Sequence, residues 1–190
     1  MSKGPIFIAD RACIFYDPAI SQRDLIRHYT LRPSDLALIR RCRGDYNRLG
    51  FALMLCYLRY PGRPLREGER PPRETVDFIA DQIEVLPNEI DQYVEQSRRR
   101  HSALLQNALN LRPFGNEPAK ELQRWLMPHA IEKDQLGHLG VLIMAEYRDR
   151  RIMLPPIGSF QRLCIRTRIE AHSEVQGRCH CYNRGPGRRH

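Results

Sequence analysis

Lysine is nearly missing from this 190-residue chain: Lys3, Lys120 and Lys133 stand alone among the 31 Lys+Arg residues. Almost every positive charge is therefore an arginine, whose planar fork pairs with phosphate in a way a lysine ammonium does not. A GC-rich genome gives the same bias, so composition leaves both causes open. Long apolar runs are missing too. The best, Leu49 to Leu58, falls far short of the roughly 18 residues a membrane helix needs. Lys3 is followed by no continuous apolar segment, because Asp10 and Arg11 interrupt it; no export signal is expected, and the expected compartment is the cytoplasm. There the six cysteines do not form a disulfide framework. Cys56 reads as a core residue. Cys179-His180-Cys181, with His172 and His190 nearby, lacks the second ligand pair of a structural zinc site, so no metal is expected. A small zinc site on Cys179, Cys181 and His172 is the competing reading.

Signatures of familiar chemistry are absent as well. There is no G-x-x-x-x-G-K-[ST], G-x-G-x-x-G, H-E-x-x-H or G-x-S-x-G, so neither a cofactor nor a catalytic set is expected. The acidic residues read as helix caps and solvated positions. His28, His101, His129 and His138 scatter along helix edges and read as surface or cap residues. Alternating strand runs and Asn-Gly hairpins are missing, which excludes a β-rich fold.

What remains is helical, and the expected class is all-α. Ser21 and Asp24 form a capping box for a first helix carrying Leu25, Ile26 and Tyr29. A second runs from Pro33 to about Arg43, with Gly44 as its stop. The third, Asp45 to Tyr60, is apolar nearly all round and reads as the buried centre of its domain. Further helices are expected over Pro72 to Glu84, from Pro87, from a cap at Ser97, from Glu117-Pro118, after Gly137 and from Phe160. Breaks near 61–72 and 112–118 divide the chain into a lead segment over 1–20, a helical subdomain over 21–112 and a second over 116–165. Residues 167–190, basic and poor in apolar positions, are expected to be a disordered tail.

The formal charge is +9, which favours a polyanionic partner. One helix, a tight turn at Arg43-Gly44-Asp45 and a second helix make a helix-turn-helix-like unit. Arg40, Arg41, Arg43, Asn47 and Arg48 gather at its corner, where arginine reaches phosphate or guanine and asparagine reads adenine. The plain structural alternative is that Asn47 caps the helix and Arg48 pairs with Asp45. Arg98, Arg99 and Arg100 form a second candidate patch, with a solvated helix start as its rival. A helical protein-interaction module is the competing function.

The run His28-Tyr29-Thr30-Leu31, Asp35 to Asp45, Asn47 to Leu53 and Leu55 to Gly62 resembles the N-terminal domain of the Tn-three family of replicative transposases. Val76 to Gln82, Arg99 to His101, Arg112-Pro113-Phe114, Trp125-Leu126, Arg150-Arg151-Ile152 and Leu154-Pro155 agree, so the likeness covers about residues 21 to 165. The end departs from the family, which continues as a helix, and resembles the product of a shifted reading frame. The resemblance implies a truncated transposase that binds double-stranded DNA at the transposon's terminal inverted repeats, in the bacterial cytoplasm and nucleoid. It implies no enzyme, because the RNase H-like catalytic domain would lie downstream. A full-length transposase, or a second copy of the chain, is the implied protein partner.

Overall fold

The computed structural model describes residues 21–66, 68–132 and 136–182, with side chains through 176 except 132–137. The lead segment 1–20 and residues 183–190 lie outside the described residues. Among the described residues the elements are helical, in two compact units, residues 21–113 and residues 114–182.

In the first unit Ser21 accepts from the Asp24 amide, and the Asp24 carboxylate accepts from the Ser21 amide, so α1 (Gln22–Tyr29) opens on the expected capping box. α2 (Pro33–Ile39) is shorter than the sequence predicts. It stops at Ile39, and residues 40–43 form a turn whose amides bond back to Leu36, Leu38 and Ile39. Gly44, with φ +82°, therefore starts the next helix rather than ending this one. A β-carbon there would lie 2.8 Å from the Tyr46 ring.

α3 (Asp45–Arg59) is the axis of the unit: every residue from Leu49 to Leu58 is buried. α4 (Arg73–Ile83), a 3-10 turn (Pro87–Gln92) and α5 (Glu95–Ala108) pack around it. α5 begins two residues before Ser97, with Val94 rather than Ser97 at its cap. Tyr93 fixes that entry. Its ring lies against α3 so closely that a β-carbon on Gly50 would sit 2.4 Å from it. No other residue fits at position 50 without moving the ring. The Tyr93 hydroxyl meets His101 Nδ1 at 2.9 Å, and His101 stands edge-on to Phe51.

Polar clamps tie the other helices to this axis. Asp35, 2% exposed, accepts from Arg59 Nη1 at 2.7 Å, from Arg59 Nη2, and from the Arg32 amide at 2.7 Å. Burial alone would raise the Asp35 pKa, but the Arg59 and Arg32 bonds outweigh it and hold the carboxyl below its usual range. Arg63, in the loop after α3, is 2% exposed. It donates to both Glu69 oxygens at 2.6 and 2.7 Å and lies 5.3 Å from the Tyr57 ring centroid. Glu69 is held below its usual range in the same way: burial raises it, and the Arg63 and Arg66 bonds outweigh that. Gln82 of α4 accepts from the Leu31 amide at 2.8 Å and donates to the Tyr29 carbonyl at 3.1 Å, clasping the end of α1.

The second unit packs α6 (Asn116–Glu132), α7 (Leu136–Asp149) and α8 (Ile157–Tyr182) around Leu122, Leu126, Ile143, Tyr147 and Phe160. The expected disorder is corrected over 167–182, because α8 runs through Tyr182; the rest of that expectation, 183–190, lies outside the described residues. The apolar stripe persists in small residues: Thr167 and Ala171, both fully buried, continue the face of Leu163, and the Thr167 hydroxyl donates to the Leu163 carbonyl at 2.8 Å. Glu170 accepts from Gln123 of α6, which holds the two helices together.

Two outcomes follow. Gly50→Ala should destabilise the first unit by about 1–3 kcal/mol through overpacking, and Tyr93→Leu in the same chain should recover part of that loss; denaturant unfolding measures both. Asp35 and Glu69 have lowered folded pKa values. Their stabilisation is thus complete above the unfolded carboxyl value, about 4, and is lost as pH falls below it. The melting temperature should drop below about pH 4, and Asp35→Asn, costing about 2–4 kcal/mol near neutrality, should flatten that drop.

Candidate nucleic-acid interface

The candidate arginines do not share one surface. Asp45 and the Ile83 carbonyl take the Arg48 guanidinium at 3.0 and 3.2 Å, the Asp45 pairing being the one its structural alternative names. Asn47, 8% exposed, donates to the Arg43 carbonyl at 2.9 Å and holds the turn to the start of α3. Its Oδ1 is buried with no partner among the described residues.

Three consecutive residues of α5 meet three environments, because successive side chains on a helix are about 100° apart. Arg98 is largely buried, 3.4 Å from Glu95 and 6.0 Å from the Tyr93 ring centroid. Arg99 is exposed and bonds Glu95 at 3.1 Å. Arg100 is exposed, makes no ion pair among the described residues, and turns toward the α2–α3 corner.

There it lines a groove of about 700 Å³. One side is the end of α2, with Leu38, and the turn after it, with Arg41, Cys42 and Arg43. Asn47 and Phe51 of α3 also line it, and α5 supplies Arg100, His101, Leu104 and Ala108. Arg41 and Arg43 are exposed, without ion pairs among the described residues, and no carboxylate lines the groove. Arg40, also exposed, caps α2 beside it. The structure thus gathers Arg41, Arg43 and Arg100 with the buried Asn47, keeps Arg40 adjacent, and assigns Arg48, Arg98 and Arg99 to intramolecular pairs.

Burial drives the two titratable groups of this groove toward their neutral forms. It lowers the His101 pKa to about 4, with the Arg100 charge acting in the same sense. Cys42 is raised by burial, against the opposing pull of Arg100 and Arg48. Positive charge in the groove therefore comes from the guanidiniums alone. Reading the sequence as surface patches missed His101 as a packed residue and Leu104 as part of the site. The signal was present: Leu104 stands four residues after Arg100, on the same helix face. Among the described residues no three metal-ligand side chains converge, and the side chains of Cys179 and Cys181 lie outside them.

Residues 9–167 match a family described as Domain of unknown function (DUF4158). The chain is 38% identical over 157 residues to the transposase for transposon Tn501 of Pseudomonas aeruginosa, covering 82% of this chain and 16% of that protein. With the transposase for transposon Tn21 of Escherichia coli the identity is 37% over 157 residues, covering 82% and 16%. With that for transposon Tn1546 of Enterococcus faecium it is 27% over 150 residues, covering 78% and 15%. The chain thus spans 16% or less of the length of these relatives.

His101 provides a check on the groove. Its ring should titrate in NMR spectra with a midpoint near 4, far below an exposed histidine, and should stay neutral from pH 6 to 8. A lowered folded pKa means that stability held above about pH 6.5 is lost as pH falls toward 4.

Proposed function

The chain belongs to the DUF4158 family, and from that premise we propose that its unit over residues 21–113 binds double-stranded DNA in transposition, the transposon ends being the specific target. The observation that carries the reading is the convergence of Arg41, Arg43 and Arg100 on one groove that no carboxylate lines. Guanidiniums so placed grip phosphates, and the exposed Arg40 beside them extends the same positive edge. The relatives being transposases supports DNA as the polyanion. Base reading by Asn47 is not part of the proposal, because its amide is buried and holds Arg43. Arg48, Arg98 and Arg99 support the fold in this reading rather than the DNA.

The proposed role is binding without strand cleavage, in a bacterial cytoplasm, alongside a full-length transposase. Nicking of supercoiled plasmid by the purified chain with magnesium would overturn that part.

Duplex affinity should fall steeply with salt, with a log–log slope of about 0.9 per phosphate contact. Replacing Arg41, Arg43 and Arg100 by alanine should shrink the slope by roughly two to three and weaken binding at least tenfold. Arg99→Ala should change little. Unchanged affinity in the triple variant, with folding intact by circular dichroism, would sink the assignment. A preference for transposon-end duplex over scrambled duplex tests the specific target.

A further inference from the structure

The groove beside Arg41, Arg43 and Arg100 has an apolar floor that phosphate contact leaves unused. Leu104 is 53% exposed there, and Ala108 is exposed one turn further along α5. Leu38 and Cys42, both half-buried, face them from the α2 side. Arg100, Leu104 and Ala108 stand at i, i+4 and i+8, so they run along one side of the groove for about 12 Å, or two helical turns. Its apolar part, Leu104 and Ala108 about 6 Å apart, faces Leu38 and is edged by guanidiniums, and that combination is complementary to one kind of surface.

We propose that this groove is a docking site for an acidic amphipathic helix. The partner sets apolar anchors at i, i+3 or i+4 and i+7 on the Leu38–Leu104–Ala108 floor and places carboxylates against Arg41, Arg43 and Arg100. Charge complementarity favours this occupant. The edge carries three arginines and no lining carboxylate, and carboxylates match the guanidinium fork two bonds at a time. A neutral apolar helix would leave those charges without partners, and a basic one would be repelled. The inference goes beyond DNA binding because the floor contributes to helix docking and not to phosphate contact. The arginines serve both, so helix and DNA compete for the groove.

The probe is a fluorescein-labelled synthetic peptide of about 14 residues, roughly four turns, with leucines on one face and glutamates elsewhere. A scrambled peptide of identical composition is the control. Fluorescence anisotropy with the full chain should show the patterned peptide bound at least tenfold more tightly than the scrambled one. Leu104→Gln, a change at an exposed position, should weaken the patterned peptide by about tenfold. Arg41→Ala with Arg100→Ala should weaken both ligands, and the peptide should displace labelled duplex. Equal binding of the two peptides, binding of neither, or full affinity in Leu104→Gln would overturn the inference. Duplex binding without peptide binding would remove this proposal and leave the DNA reading standing; the reverse result would do the opposite.

Discussion

The first unit is built on a helix that has no outside. With Leu49 to Leu58 buried all round, α3 must be covered on every side, and each other element of the unit is placed by that need. Where the covering is closest, the side chain is removed altogether: Gly50 admits the Tyr93 ring at a distance no β-carbon would tolerate. Tyr93 in turn fixes His101 through its hydroxyl, and His101 sets which side of α5 faces inward. The direction of Arg100, one residue before His101, is thus a consequence of packing at Gly50.

The charged residues of the unit divide along the same lines. Arginines near the buried axis are consumed by it: Arg59 by Asp35, Arg63 by Glu69, Arg48 by Asp45 and the Ile83 carbonyl. A guanidinium taken from water needs a partner of opposite sign, and these have one. Arg40, Arg41, Arg43 and Arg100 stay in solvent without ion pairs among the described residues, so their charge is available to a ligand. The arginines that line the groove are therefore a minority of those present, selected by position rather than by number.

Much of the fold could be read along the chain. The capping box at Ser21, the proline at the start of α2 and the all-round apolar pattern of α3 are local features, and each starts its helix within a residue or two of where it is expected. The less readable points are those where a tertiary contact competes with a local signal. Ser97 is a good cap, but Tyr93 anchors the chain earlier and α5 starts at Glu95. α8 outruns its large apolar residues because Thr167 and Ala171 are small enough to lie against α6, and small residues give a weak periodic signal.

The candidate site divides in the same way. Sequence established an all-α chain with a positive surplus carried by arginine, and placed Arg40, Arg41 and Arg43 at a helix–helix corner, because composition and helical periodicity are local properties. It left undecided which members of Arg98-Arg99-Arg100 join that corner, and whether Arg48 and Asn47 face solvent. Folding decides these, since α5 is separated from the corner by about fifty residues of chain and its rotation is set by Tyr93 and His101 against α3. One residue's rotation on a helix, about 100°, separates Arg99, bonded to Glu95, from Arg100, which lines the groove.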